Sequence, residues 1–198
     1  MTQPENQLLF ADELTIADRK FLAGLHCGDE PWSRAATEWI RGSEVIDSIS
    51  RNQTKVWIYR YSDADDAIVG FSSLFATQWL SWPPPSGKRS RLLYIPQLGI
   101  DRRYRGKPDS PEFRYSNQIM EHLIGEAKKL AKQIREGKPP KKHVDLLTLR
   151  VHKDNTVAQR VYARYCFQLL PGFDDENHFA MEHKLALEDP ASDLESGD

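Results

Sequence analysis

The eight residues Val144 to Val151 (VDLLTLRV) constrain this chain more than any other stretch. The run is too short for a stable independent helix and too apolar for a surface strand. It predicts a central strand covered on both faces, which in turn requires layers of helix above and below a sheet. The segment before it supplies one layer. Ile119, Leu123, Ala127, Leu130 and Ile134 recur at spacings of 4, 4, 3 and 4, one face of a long helix, and Gly137-Lys138-Pro139-Pro140 ends it. A strand over Leu92 to Ile100 precedes that helix, with Pro96 inside it. Proline cannot donate to a ladder, so Pro96 predicts a bulge or a local loss of pairing.

Other elements fill in around this unit. Cys27-Gly28-Asp29-Glu30-Pro31 predicts a turn opening a helix, with Asp29 as cap, Pro31 in the first turn, and Trp32, Ala35, Ala36, Trp39 and Ile40 on one face. A short helix covers Glu44 to Ser50. Val56 to Tyr59 and Ile68 to Ala76 read as a hairpin around the polar turn Ser62 to Ala67, and Ser81 to Arg91, with Pro83-Pro84-Pro85, as a stiff extended loop. Asn155 to Tyr165 groups Val157, Ala158, Val161, Tyr162 and Tyr165 on one side of a short helix, and His178 to Leu185 alternates as a final strand. The order of helices, hairpin, strand, helix, strand, helix and strand gives an α/β (α+β) fold with a mixed sheet.

Composition limits the function classes. The chain has 198 residues, enough for one domain over residues 1–185. No apolar run approaches the ~20 residues of a membrane helix, and the start lacks the basic flank and apolar stretch of a secretory signal. The two cysteines, Cys27 and Cys166, make no disulfide framework and have no metal-ligand spacing, so a reducing cytoplasm is the simplest home and no metal is expected. The 27 Lys and Arg face 29 Asp and Glu, but five acids (Glu188, Asp189, Asp193, Glu195, Asp198) fall in residues 186–198, so 27 face 24 elsewhere. That acidic tail has the composition of a disordered segment. Lys128, Lys129, Lys132, Arg135, Lys138, Lys141 and Lys142 form a basic stretch, with Lys88, Arg89 and Arg91 a second. Such tracts track phosphates in nucleic-acid binders, but here they also fit the solvated face of a helix and its exit, and the pI near 6.3 suits no obligate nucleic-acid binder.

Chemistry concentrates in two segments. After the strand ending at Ile100 comes Asp101-Arg102-Arg103-Tyr104-Arg105-Gly106-Lys107 and then the long helix. A glycine-containing turn that delivers backbone N–H groups and cations to a helix start is an anion cradle. After the central strand comes Asn155-Thr156-Val157-Ala158-Gln159-Arg160-Val161-Tyr162-Ala163-Arg164-Tyr165-Cys166-Phe167. Together these resemble the GCN5-related N-acetyltransferase superfamily, whose members carry an Arg/Gln-x-x-Gly-x-Gly/Ala turn and later an Asn-x-x-Ala-x-x-x-Tyr-x-x-x-Gly-Phe pattern. The likeness spans about residues 56–185 and is strongest over 92–167. Two departures stand out: Pro108 to Phe113 is inserted after Lys107, placing Arg114 and Ser116 at the later glycine positions, and Cys166 replaces glycine.

The resemblance implies a mostly antiparallel sheet with a splayed strand pair and helices on both faces. It also implies N-acetyl transfer from acetyl-CoA to a primary amine by direct attack on the thioester. Leu98 and Ile100 would pair with the pantetheine arm; Arg103, Arg105, Gly106, Lys107 and Ser116 would line the diphosphate; Asn155 would hold the arm from the far side. Tyr162 would protonate the departing thiolate, with Tyr165 packing. Spacing alone also fits Tyr162 as a core aromatic. No general base stands out among His152, Asp29, Glu30 and Gln97. The acceptor is a small-molecule or peptide amine; aminoacyl-tRNA acetylation by a toxin-like enzyme and a non-catalytic acyl-CoA sensor are the alternatives. Dimers are common among similar proteins, which makes a homodimer the oligomer to test.

Overall fold

A computed structural model describes residues 8–51, 53–60, 67–76, 80–81, 89–107, 113–137 and 144–186. Its strands are β1 (Phe10–Glu13), β2 (Thr54–Arg60), β3 (Gly70–Ala76), β4 (Leu80–Ser81), β5 (Arg89–Ile95), β6 (Leu98–Ile100), β7 (Val144–His152), β8 (Gln168–Leu169) and β9 (His178–Lys184). The helices are α1 (Arg19–Leu22), α2 (Pro31–Arg41), α3 (Ser43–Ser50), α4 (Tyr115–Glu136) and α5 (Thr156–Arg164). The sheet runs β1-β2-β3-β5-β7-β9-β8, with β4 on β5 and β6 on β3. β5 and β7 are parallel and the other pairs antiparallel. A parallel pair needs a long crossover, and α4 is that crossover.

Both faces of the sheet are covered. Along β2, Val56 and Ile58 face one way, against Leu22, Ile40 and Val45 of the first three helices. Trp57 and Tyr59 face the other, with Ile119, Leu123 and Ala127 of α4 and Tyr162 of α5. This period-two alternation explains why the whole run is buried. The buried stripe of α4 is Ile119, Met120, Leu123, Ala127 and Ala131, with Leu130 and Ile134 at its half-buried margin. Leu123 is fully buried, so Leu123→Ala would cost about 2–5 kcal/mol.

The central strand departs from expectation at one end. Leu147, Leu149 and Val151 enter the main core, and the buried Thr148 donates to the Leu93 carbonyl (3.1 Å). Arg150, on the opposite face, is exposed. That face, with Arg150 and His152 on it, becomes a wall of the site. Three further expectations change. The segment 89–91 belongs to β5, paired with β4, so the extended loop is shorter than its composition suggested; 82–88, like most of the turn 62–67, lies outside the described residues. β1 and β8 go unpredicted by periodicity. Asp29 does not cap α2: Glu30 is the N-cap residue, and Asp29 instead pairs with His26 (3.5 Å) and Arg102 (3.5 Å).

Cys166 occupies a left-handed position (φ 59°) just after α5. Its amide donates to Ala163 (3.0 Å) and the Phe167 amide to Tyr162 (3.1 Å), the closing pattern of a Schellman C-cap. Glycine suits that position because a Cβ there strains the backbone. The exposed cysteine bears that strain while its thiol stays in solvent.

Candidate active site

The site begins at the break between β5 and β6. Pro96 has no N–H, and Gln97 is held out of regular pairing by Ser73. The Ser73 amide donates to the Gln97 carbonyl (3.0 Å), the Ser73 hydroxyl donates to the same oxygen (2.7 Å), and the Gln97 amide donates to Ser73 Oγ (2.9 Å). Beyond the kink, β6 follows β3 alone: Ser72↔Leu98, Phe71↔Gly99 and Gly70↔Ile100. Gly99 is required here, since a Cβ would lie 2.5 Å from the Phe71 ring and 2.7 Å from Cys27 Sγ.

β5 pairs with β7 only as far as Ile95↔Leu149, while β7 continues to His152 along β9. The two strands diverge past that point. Asp101 donates to Val69 (2.9 Å) and Ser73 to Gln97, so Gln97, Gly99 and Asp101 form the row bonded to β3. By the alternation of an antiparallel ladder, Leu98 and Ile100 turn their N–H and C=O groups to the opposite edge. Among the described residues no strand pairs with that edge. A cavity of about 960 Å³ fills the gap between β6 and the end of β7.

One end of the cavity meets the start of α4. The Lys107 carbonyl accepts the Tyr115 amide (3.0 Å), pinning together the two ends of the inserted segment; residues 108–112 lie outside the described residues. Gly106, in a left-handed turn (φ +71°), and Ser116 line the cavity beside Arg114. The Ser116 amide sits in the first helical turn, where no intrahelical carbonyl is available. Arg114 Nε is buried with no hydrogen-bond partner among the described residues. Arg105 reaches across to Ser33 Oγ (2.6 Å) and Glu30 (3.3 Å), tying this turn to α2.

Arg103 and Lys107 are not among the lining residues. Arg103 grips Asp101 through Nε (2.8 Å) and Nη2 (3.1 Å), and Asp101 also accepts the amides of Arg103 and His26 (both 2.9 Å). Burial pushes the Asp101 carboxyl up, but the Arg103 side chain and those amides outweigh it and hold it below the usual carboxylate range. Arg103 thereby fixes the turn.

Leu98, Ile100, Arg105, Gly106, Ser116, Asn155 and Tyr162 do share the cavity. Asn155 caps α5, its Oδ1 accepting the Ala158 amide (3.1 Å). Tyr162 is 9% exposed, and burial pushes its phenol up to about 12, so it is protonated throughout the neutral range. Tyr165 is engaged elsewhere, with the Asn117 carbonyl and Glu121 (both 3.2 Å). Cys27 also lines the cavity, but burial pushes its thiol up, making it a poor nucleophile. Sequence reasoning missed Arg114, Trp32, Arg150, Asp175 and His178, all on the cavity wall. The turn Asp174-Asp175-Glu176-Asn177-His178 before the last strand was the available signal.

No family model matches the sequence, and no curated protein matches it. Solved structures do. A crystal structure of AtaTR bound with acetyl-CoA has a TM-score of 0.62 at 16% identity, covering 89% of this chain and 93% of that one. AtaT complexed with acetyl-methionyl-tRNAfMet gives 0.62 at 15%, covering 89% and 94%. The PaiA N-acetyltransferase from Thermoplasma acidophilum in complex with coenzyme A gives 0.58 at 18%, covering 89% and 98%. The chain therefore shares the fold of these structures, a mixed, mostly antiparallel sheet with helices on both faces, as the sequence resemblance implied.

Proposed function

We propose that this chain transfers an acetyl group from acetyl-CoA to a primary amine. The observation that carries the reading is the unpaired outer edge of β6 inside a cavity that also holds a buried, protonated tyrosine and a helix start. A pantetheine arm carries amides that can extend β6 as an added strand at Leu98 and Ile100. Its diphosphate suits the Gly106 and Ser116 amides, with charge from Arg114 and Arg105. Asn155 closes the opposite side. Arg103 and Lys107 remain outside this set.

The chemistry follows from charge. Attack by an amine nitrogen on the thioester carbonyl places negative charge on the carbonyl oxygen, which a β6 amide can stabilise. Collapse breaks the C–S bond, and the sulfur takes the Tyr162 proton. The raised thiol of Cys27 argues for direct attack over an acyl-cysteine intermediate. Among the described residues no group of metal ligands is present, and the steps above need none.

Two measurements test this. Acetyl-CoA at a hundredfold its Kd should stabilise the protein by about 2.7 kcal/mol, a Tm rise of roughly 5–10 °C. Thiol release should then appear against some member of a panel of n-butylamine, amino acids, peptides and aminoacyl-tRNA. Tyr162→Phe should lower turnover roughly 10²–10⁴-fold with acetyl-CoA affinity kept. A variant as active as wild type would point to packing, and binding without turnover to an acyl-CoA sensor. The absence of any thermal response would end the reading.

Aminoacyl-tRNA stays in the panel for a reason. The AtaT complex carries an acetylated methionyl-tRNA, and Arg105, Arg114, Arg150, Arg160 and Arg164 line this cavity against Glu30, Asp154 and Asp175. The α4 lysines contribute less: Lys129 pairs with Glu126 (2.6 Å) and Lys132 with Glu136 (3.8 Å).

A further inference from the structure

One wall of the cavity carries a cluster that the contacts above leave unused. β7 and β9 pair through to His152↔His178, which puts both imidazoles on one face with ring centroids 5.5 Å apart. Trp32 of α2 lies over His152 at 4.8 Å. Arg150, two residues back along β7, shares that face. The turn entering β9 is built on Asp175. Its Oδ1 accepts the amides of Asn177 (2.9 Å) and His178 (2.7 Å), and Arg150 donates to its Oδ2 (2.9 Å). Lys153 Nζ donates to the carbonyls of Asp175 (2.7 Å) and Glu176 (3.0 Å).

Hydrogen-bond partners set the two histidines in opposite states. His178 Nδ1 lies 3.0 and 3.3 Å from the Asp175 carboxylate oxygens. A carboxylate only accepts, so Nδ1 carries a hydrogen, and in the neutral ring Nε2 is the nitrogen with the lone pair. The Asp175 carboxyl is held down to about 2, first by the Asn177 amide and then by His178, and stays ionised. His152 Nδ1 instead accepts the Asp154 amide (3.2 Å), so neutral His152 carries its hydrogen on Nε2. One wall thus offers one proton acceptor and one proton donor. His178 is half-exposed, with its side chain 41% accessible, and lines the cavity.

We propose that His178, oriented by the Asp175 carboxylate, takes the proton that the acceptor amine loses on attacking the thioester. The inference rests on the acetyltransferase reading. The amine nitrogen bonds to the acetyl carbon, and its proton passes to His178 Nε2 directly or through one water. The C–S bond breaks and the sulfur takes the Tyr162 proton; solvent then reprotonates Tyr162 and discharges His178. His178 is the catalytic group and Asp175 a positioning residue. Asp175, Arg150, His152 and Lys153 are the titratable and charged groups set around His178.

The test pairs a kinetic readout with one that needs no acceptor. With acetyl-CoA and the panel amine of highest turnover, His178→Gln should lower kcat at pH 7 by roughly 10²–10⁴-fold, with acetyl-CoA affinity unchanged. Its rate should climb towards pH 9 as neutral amine becomes plentiful. Asp175→Asn, which keeps the Oδ1 acceptor, should lose less and shift the pH profile. ¹⁵N-edited NMR of the wild-type histidine rings should show His178 as the Nδ1–H tautomer and His152 as Nε2–H. An Nε2–H tautomer at His178, a His178→Gln rate within threefold of wild type across pH 6–9, or a loss confined to acetyl-CoA affinity would each overturn the assignment. A wild-type protein that neither binds acetyl-CoA nor releases thiol would instead remove the acetyltransferase reading, and this one with it.

Discussion

Replacing Ser73 with alanine tests what holds the slot open. Ser73 is fully buried, and its hydroxyl makes two hydrogen bonds to the Gln97 backbone, at 2.7 and 2.9 Å, where β5 gives way to β6. Each is worth about 1 kcal/mol net, so Ser73→Ala should cost about 2 kcal/mol. For a chain of this size that is a Tm loss of roughly 4–8 °C. The same bonds favour the kinked form over one in which β6 swings toward β7 and pairs with it. If all of that preference passes to a closed form, acetyl-CoA affinity falls by at most about 30-fold. Ser72→Ala is the control. Its hydroxyl bonds Tyr59 OH of β2 (2.7 Å) and not the Gln97 backbone, so it should cost stability and leave affinity alone. Thermal denaturation and titration calorimetry with acetyl-CoA read both quantities. A Ser73→Ala protein that melts earlier yet binds acetyl-CoA like wild type would refute the claim that Ser73 sets the gap.

Two further predictions concern the frame around the site. Cys166→Gly should raise stability by about 1 kcal/mol, a Tm gain of 2–4 °C, because the left-handed backbone suits glycine; Cys166→Val should lower it, and an unchanged melt in both would refute the strain argument. Asp101→Asn should destabilise the protein by about 2–3 kcal/mol at pH 7 through the loss of charged bonds from Arg103. Because the folded Asp101 carboxyl lies below its ordinary value, its contribution is present above about pH 4 and fades as pH falls through the folded value, so the gap between wild type and variant should narrow on acidification. A gap that widens instead would show that the carboxylate is not the stabilised form.

Much of the frame was legible because it obeys local rules. Apolar runs marked β2 and β7, a 4-4-3-4 stripe marked α4, and Pro96 marked the break. β1 and β8 were not legible: FADE and QL have no alternation of their own, and they become strands by register against β2 and β9. The charge of the turn after β6 does not say which of its cations a neighbouring carboxylate holds. Arg103 has the charge for a phosphate, yet a fully buried Asp101 two residues away claims it. The wall that gathers Trp32, Arg150, His152, Asp175 and His178 draws on three distant segments, which only the tertiary pairing of β7 with β9 and the packing of α2 bring together. Residues 187–198, with the acidic tail, lie outside the described residues.

Amide hydrogen exchange with and without acetyl-CoA puts the slot itself to the test. Leu98 and Ile100 should exchange fast in the free protein, since among the described residues no strand covers their edge of β6, while Gly99 between them is protected by β3. Saturating acetyl-CoA should slow Leu98 and Ile100 and leave Gly99 as it was. Protection of all three before ligand is added, or no change at Leu98 and Ile100 on saturation, would contradict an open edge that receives the pantetheine arm.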